Sequence, residues 1–335
     1  MHPPDRFVNN YEALSIGVHP AMMADHNPTR GGPDVVNNWG ITRTFPANVP
    51  AAFPKHTPEL IVVKDIEHWK DYVHMPFTDF PEELWGVCKE RLFDPMDGVN
   101  SFKTVLYVPG IFDMTHMLCS IDKALAYFIT NPDEMHDMVK YLTEYELRIA
   151  EGICSHLHPE ALLHHDDWGS ERNSFFRPSM FEDFFLDAYK QVYGYYHDHG
   201  VELIIHHSDS YCANLVDDMI EMGIDVWQGC MQSNDVPALT KKYKGKIAFM
   251  GDIDNKSMDV PGWTKEDCRK AAVRAMEENG MYGFIPCITQ GGPGSVFSGS
   301  YLALCDSIDE YNAEKFGFTV EEIAAARPPH QIMFG

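Results

Sequence analysis

Five segments of the chain end in residues that can do chemistry. Asp166 and Asp167 close the run Ala161–His165, and His207 with Asp209 closes Val201–His207. Trp227, Gln228 and Cys230 follow Ile224, Asp252 and Asp254 follow Phe249-Met250, and Cys287 with Gln290 follows Ile285. Carboxylates and imidazoles supply general acids, general bases and metal ligands, and a thiol supplies a softer ligand. His207 and Asp209 stand at i and i+2, so an extended strand presents both to one face. Such a pair offers a metal one nitrogen and one oxygen, or forms a base with its orienting carboxylate. His206 points to the opposite face, where a packed histidine is expected. In His164-His165-Asp166-Asp167, alternation lets only half the run face inward, and the phase is open, so both aspartates are candidate catalytic residues beside His207 and Asp209. Neighbouring carboxylates repel, which raises one pKa and leaves a proton donor near neutral pH. A lone cysteine is commonly a small buried hydrophobe, yet Cys287 is the thiol best placed to matter. It precedes Gln290-Gly291-Gly292-Pro293-Gly294-Ser295, which lacks both the Lys-Ser/Thr pair of a phosphate loop and GxGxxG spacing. This turn is read as pocket wall. Trp168, Trp227, Gln228, Met250, Asp252, Phe284 and Gln290 are the candidate substrate contacts.

The elements that carry these residues alternate regularly from about residue 100. Val105–Val108 is a short apolar run ended by Pro109-Gly110. Asn131-Pro132-Asp133-Glu134 places an N-cap, a proline at the first helical position and acids in the first turn of a helix running to about Cys154. Strands follow at Ala161–His165, Val201–His207, Ile224–Trp227, Lys246–Met250 and Tyr282–Ile285, with helices near 179–199, 213–222, 236–243 and 298–311 between or after them. Thr264 caps a further helix whose Cys268, Ala271, Ala272, Ala275 and Met276 form one apolar stripe, closed by Gly280. Alternating units of this kind build parallel sheets. Polar residues at five successive C-terminal strand ends place the chemistry on one rim, which predicts a single α/β domain over 1–335, a (β/α)8 TIM barrel. The first hundred residues hold 12 of the 22 prolines and read as an irregular cap with a short helix near Pro81–Leu92, and 101–335 as the regular units.

The 335-residue chain carries 50 Asp and Glu against 26 Lys and Arg, a net charge of −24. That field repels phosphate backbones and anionic lipid, so nucleic-acid and membrane-surface roles are not expected. Eight cysteines are scattered singly with no CxxC pair, which predicts free thiols in a reducing cytoplasm.

From Leu163 to about Tyr311 the chain resembles the uroporphyrinogen decarboxylase superfamily, and within it the corrinoid-dependent methyltransferase branch of the O-demethylase type. The residues that carry the resemblance are His165-Asp166-Asp167-Trp168-Gly169, Ile204-Ile205-His206-His207-Ser208-Asp209, Phe249-Met250-Gly251-Asp252-Ile253-Asp254 and Tyr282-Gly283-Phe284-Ile285-Pro286, in that order. The resemblance implies a (β/α)8 barrel with its site at the C-terminal mouth. The porphyrinogen decarboxylases proper have an arginine-rich N-terminal motif; here Met1 to Asn48 has only Arg6, Arg30 and Arg43, well separated. Thiol-activating members hold zinc with a His-x-Cys pair and a later cysteine. Here Asp209 stands where the first cysteine would be, and Cys287 or Gln290 lies near the later ligand. The resemblance therefore implies zinc on His207, Asp209 and Cys287, in a site suited to an oxygen leaving group. It further implies methyl transfer from a small-molecule donor, an aromatic methyl ether, to the cobalamin of a separate corrinoid protein, since no Asp-x-His-x-x-Gly signature is present. A homodimer is compatible with this reading. A decarboxylase, a methyltransferase using a methylamine or thiol donor, and a catalytically silent binding subunit are the alternatives.

Overall fold

The computed structural model describes residues 5–49, 51–96 and 98–331. Its ten strands are β1 (Leu14–Gly17), β2 (Val35–Val36), β3 (Thr42–Thr44), β4 (Phe53–Pro54), β5 (Phe102–Tyr107), β6 (Ala161–His165), β7 (Leu203–His207), β8 (Val226–Cys230), β9 (Ala248–Ile253) and β10 (Phe284–Ile288). Seven of them form one parallel sheet in the order β1-β5-β6-β7-β8-β9-β10, and β2-β3-β4 form a small antiparallel sheet. Parallel neighbours require crossovers, and helices supply them on the outer face.

The helix Pro132–His156 shows how sequence sets packing. Pro132 stands at its start with Asp133 and Glu134 in the first turn, and Met135, Met138, Leu142, Ile149 and Ile153 are buried. Glu146 interrupts that stripe, and is satisfied by His164 of β6, whose Nε2 lies 3.1 Å from its Oε2. The helix Lys265–Asn279 opens on a capping box between Thr264 and Asp267, and the expected stripe from Cys268 to Met276 is the face it buries.

Several features depart from expectation. The eighth strand of a (β/α)8 barrel is absent from the described residues. The edges β10 and β1 are bridged instead by Asn10, whose N–H donates to the Pro286 carbonyl at 3.1 Å while its Oδ1 accepts from the Ile288 N–H at 3.1 Å. Asn10 has a φ of +51°, and Asn9 turns away to bond the Cys305 carbonyl and Asp309, so this segment does not extend into a strand. In addition, the sheet draws its first strand, Leu14–Gly17, from inside the proline-rich region. Strand ends also shift. β8 runs to Cys230 rather than Trp227 because Gly229, at φ +89°, takes up a bulge between Gln228 and Cys230. The helices Ile111–Cys119 and Ile121–Thr130 follow Pro109-Gly110, which the sequence pattern marks only as the end of a strand.

Candidate functional site

Parallel register fixes the phase that the sequence leaves open. His165 pairs with His207 and Gln228 across β6, β7 and β8, and His164 pairs with His206 and Trp227 one residue earlier. Alternation then sends the two rows to opposite faces. His164 and His206 share the Tyr193 hydroxyl, at 3.2 and 2.8 Å, so their row faces the helices. Trp168 belongs with it, stacked on His206 at 3.9 Å between centroids and packed against Phe181. Trp227 is equally buried against Phe249 and donates its indole N–H to the Ser208 carbonyl.

The other row carries the candidate site. The His165 and His207 rings stack at 4.4 Å with 17° between their planes. Asp167 brings a carboxylate oxygen 3.8 Å from His165 Nε2, and His165, Asp167 and His207 present ligand atoms within 4.8 Å of one another. Gln228 donates from Nε2 to the Ile288 carbonyl, which turns its Oε1 to His207 Nδ1. That bond makes Nδ1 the donor and leaves His207 Nε2 with a free lone pair, buried and without a partner. Burial, reinforced by the charge of His165, lowers His207 to about 3, so it is neutral.

Asp113, from the helix Ile111–Cys119, orients His165 through Nδ1 at 3.1 Å and His116 through Nε2 at 3.0 Å. Burial works against the charge on Asp113, but those two histidines overcome it and hold the carboxyl far below its usual range. Burial likewise opposes charge on His165, yet Asp167, Asp113 and Asp209 outweigh it and push the imidazole up to about 10. Asp209 donates its backbone N–H to Asp167 at 2.9 Å. Burial, then the charge of Asp167, raises the Asp209 carboxyl well above the ordinary range. Burial and the neighbouring Asp167 carboxyl thus favour the protonated form of Asp209.

The two aspartates left open are separated. Asp167 joins the cluster, whereas Asp166 is fully buried and accepts from the Phe112 and Asp113 N–H groups at 2.9 and 2.7 Å and from the Tyr189 hydroxyl. It caps the helix that delivers Asp113. Gly110 makes this possible, because a Cβ there would lie 2.6 Å from both Asp166 Cβ and the His164 ring.

Of the expected metal set, His207 falls in the three-residue cluster, which groups it with His165 and Asp167. Cys287 is fully buried behind Gln228, whose Nε2 lies 3.9 Å from its sulfur, and burial keeps that thiol protonated. Asp252 is turned away, held by Arg274 at 2.9 Å and Asn279 at 2.7 Å. Met250 is buried opposite Gln228, and Phe284 opens β10 opposite Phe249, at the end of the strand away from the rim. Gln290 lies in the loop after β10, its N–H on Asn255 Oδ1 at 3.0 Å. The residues that sequence reasoning missed are His165 and Asp113. The paired double histidines His164-His165 and His206-His207, once aligned on adjacent strands, carry the signal for the first. The i, i+3 spacing of Asp113 and His116 is the only trace of the second.

The donor set of two imidazoles and a carboxylate, one imidazole nitrogen lacking any partner, fits a zinc-type ion. His165 then has the carboxylate-backed geometry common in such ligands, with Asp113 behind it, and Gln228 plays the same part for His207. Among the described residues no helix is long and apolar enough to cross a membrane.

A family model described as Uroporphyrinogen decarboxylase (URO-D) matches residues 106–291, more than half of the chain. Among solved structures, a methyltransferase from Methanosarcina mazei superposes with a TM-score of 0.58 at 14% identity, covering 82% of this chain and 76% of that one. A double mutant of the Cellulomonas fimi endo-beta-1,4-mannanase gives a TM-score of 0.41 at 12% identity, covering 97% of this chain and 76% of that one. No protein matches in the comparison with curated sequences.

Proposed function

Because the chain belongs to the uroporphyrinogen decarboxylase family, we propose that it is a methyltransferase that moves a methyl group from an aromatic methyl ether to the reduced corrinoid of a separate protein. The observation that carries this reading is the donor cluster of His165, Asp167 and His207, all nitrogen and oxygen, with Asp209 beside it, whose carboxyl burial and Asp167 push toward the protonated form. The curled sheet, its seam bridged by Asn10, is read as a TIM-type barrel with this cluster at its mouth. All eight cysteines are unpaired and buried, which suits a reducing compartment.

Breaking a methyl–oxygen bond requires stabilisation of the oxygen as charge develops on it. His165, Asp167 and His207 would hold a zinc ion, and its chemistry there is Lewis-acid polarisation of the ether oxygen. Asp113 and Gln228 fix the two imidazoles, so the ligand geometry is set before substrate arrives. In the transfer the methyl–oxygen bond breaks and the methyl carbon bonds to the cobalt of the reduced corrinoid, which supplies the electron pair. The ether oxygen keeps its bonding pair and takes the Asp209 proton, leaving as a phenol. Asp209 regains that proton from solvent.

The test is incubation of the zinc-loaded protein with a panel of methoxyarenes and a cob(I)alamin protein. Formation of methylcobalamin, read by its absorbance, is the expected result. No transfer across the panel overturns the proposal.

A further inference from the structure

A concave site lies on the helix-facing side of the sheet, and its lining includes none of His165, Asp167 and His207. His19, just beyond β1, stacks on Tyr107 of β5 at 5.6 Å, and Tyr107 stacks in turn on His164 at 5.4 Å. His164 is in the row that faces the helices, so this line of rings runs behind the cluster rather than into it. Between it, the cap and the helix Pro132–His156 is a cavity of about 520 Å³. Trp39, Tyr107 and Tyr145 give it aromatic walls and Met114 and Met117 an adaptable apolar one.

Its polar lining is incompletely satisfied. His19 is 2% exposed, and neither ring nitrogen has a hydrogen-bond partner. Arg43 binds Asn27 Oδ1 through Nη1, but its buried Nε has no partner. Asp25 lines the cavity too and attracts Arg43, but its Oδ1 accepts from the Asn38 N–H at 2.9 Å and no ion pair joins it to Arg43 among the described residues. In a chain with 50 acidic side chains, a half-buried guanidinium without a carboxylate against it is conspicuous. Buried donors left open cost free energy that a ligand recovers by filling them.

We propose that this cavity is a binding site for a small aromatic carboxylate. Its ring lies among Trp39, Tyr107 and Tyr145, and its carboxylate accepts from Arg43 and from one N–H of His19. A planar carboxylate matches the guanidinium fork, and a ring of benzoate size fits the volume. Burial lowers His19 to about 3, so the imidazole is neutral and donates from one nitrogen without bringing a second charge. The site does not depend on the methyl-transfer reading.

The experiment is calorimetric titration of the whole protein with benzoate, beside benzyl alcohol as an uncharged analogue. Saturable benzoate binding is expected, at least tenfold tighter than benzyl alcohol. Arg43→Gln and His19→Phe should each weaken it about tenfold or more, while Asp167→Asn and His207→Ala leave it unchanged. No saturable binding, equal binding of benzyl alcohol, or loss in the Asp167 or His207 variants overturns the proposal. Should the Arg43 and His19 variants fail to fold, a crystal of the unaltered protein soaked in 4-iodobenzoate decides: iodine beside Trp39 and Tyr145 supports the site, and iodine elsewhere or nowhere refutes it.

Discussion

His165 and His207, on adjacent parallel strands, stack their imidazole rings at 4.4 Å while their surroundings shift the two pKa values in opposite directions. Asp167 and Asp113 keep the first protonated, and burial keeps the second neutral. The protonated ring fills the place that a cation would take between Asp113 and Asp167. This makes the cluster a site where a metal and a proton compete.

Metal content should follow the cluster rather than the set of His207, Asp209 and Cys287. His165→Ala, Asp167→Ala and His207→Ala should each lose bound zinc by elemental analysis. Cys287→Ser should retain it, because its sulfur sits behind Gln228. Gln228→Ala should keep the ligands but weaken zinc by about 10- to 100-fold, the usual cost of removing an orienting partner. Full zinc loss in Cys287→Ser, with retention in His165→Ala, would restore the thiol site.

Asp166 is expected to act on stability and only indirectly on chemistry. Asp166→Ala removes a helix cap worth about 1 kcal/mol. It also leaves the buried Tyr189 hydroxyl without its acceptor, at a cost of about 1–3 kcal/mol. Urea unfolding measures the sum. Tyr189→Phe, which removes the donor together with the bond, should cost less, and a variant Asp166→Ala as stable as the parent would contradict the capping role.

The sequence shows much of this where side-chain pattern and local capping agree. Pro132 with its acids, and Thr264 with Asp267, mark helices that form where expected, and the apolar stripe from Cys268 to Met276 is the buried face. The rim residues His207 and Gln228 are legible for the same reason, since they end apolar strands. Asp252 also ends one, yet is turned away by Arg274 and Asn279, which stand 22 and 27 residues later. The phase of His164–Asp167 depends on register with β7, a relation between strands that no local pattern encodes. Asp113 reaches His165 only because Gly110 lets its helix close on Asp166. Among the described residues no eighth strand joins the sheet, and beside β10 the Asn10 side chain substitutes for a ladder bond.

Asp252→Asn should lower stability with little effect on turnover. The carboxylate is 1% exposed and bonded to Arg274 and Asn279, so the substitution weakens a helix-to-strand tie at a cost of about 1–3 kcal/mol. Arg274 is half-buried and recovers some hydration, which places the value at the low end. A fall in turnover without a fall in melting temperature would instead return Asp252 to the site.

The pH dependence separates the metal-free and zinc-loaded proteins. In the metal-free protein the folded pKa of His165 is raised to about 10, above the usual histidine value of about 6.5. Its contribution to stability is therefore complete below the unfolded value and is lost as pH rises toward 10. Melting temperature should fall over that window in the parent and much less in His165→Gln. Zinc must displace the same proton, so zinc affinity should rise by up to tenfold per pH unit between 7 and about 9. Binding at pH 7 should release about one proton, read by calorimetry in buffers of different ionisation heat. The neutral His207 adds nothing to that count, because its pKa of about 3 leaves no proton to displace. Proton release near zero, with a zinc affinity flat across the same range, would show that His165 does not ligate the metal.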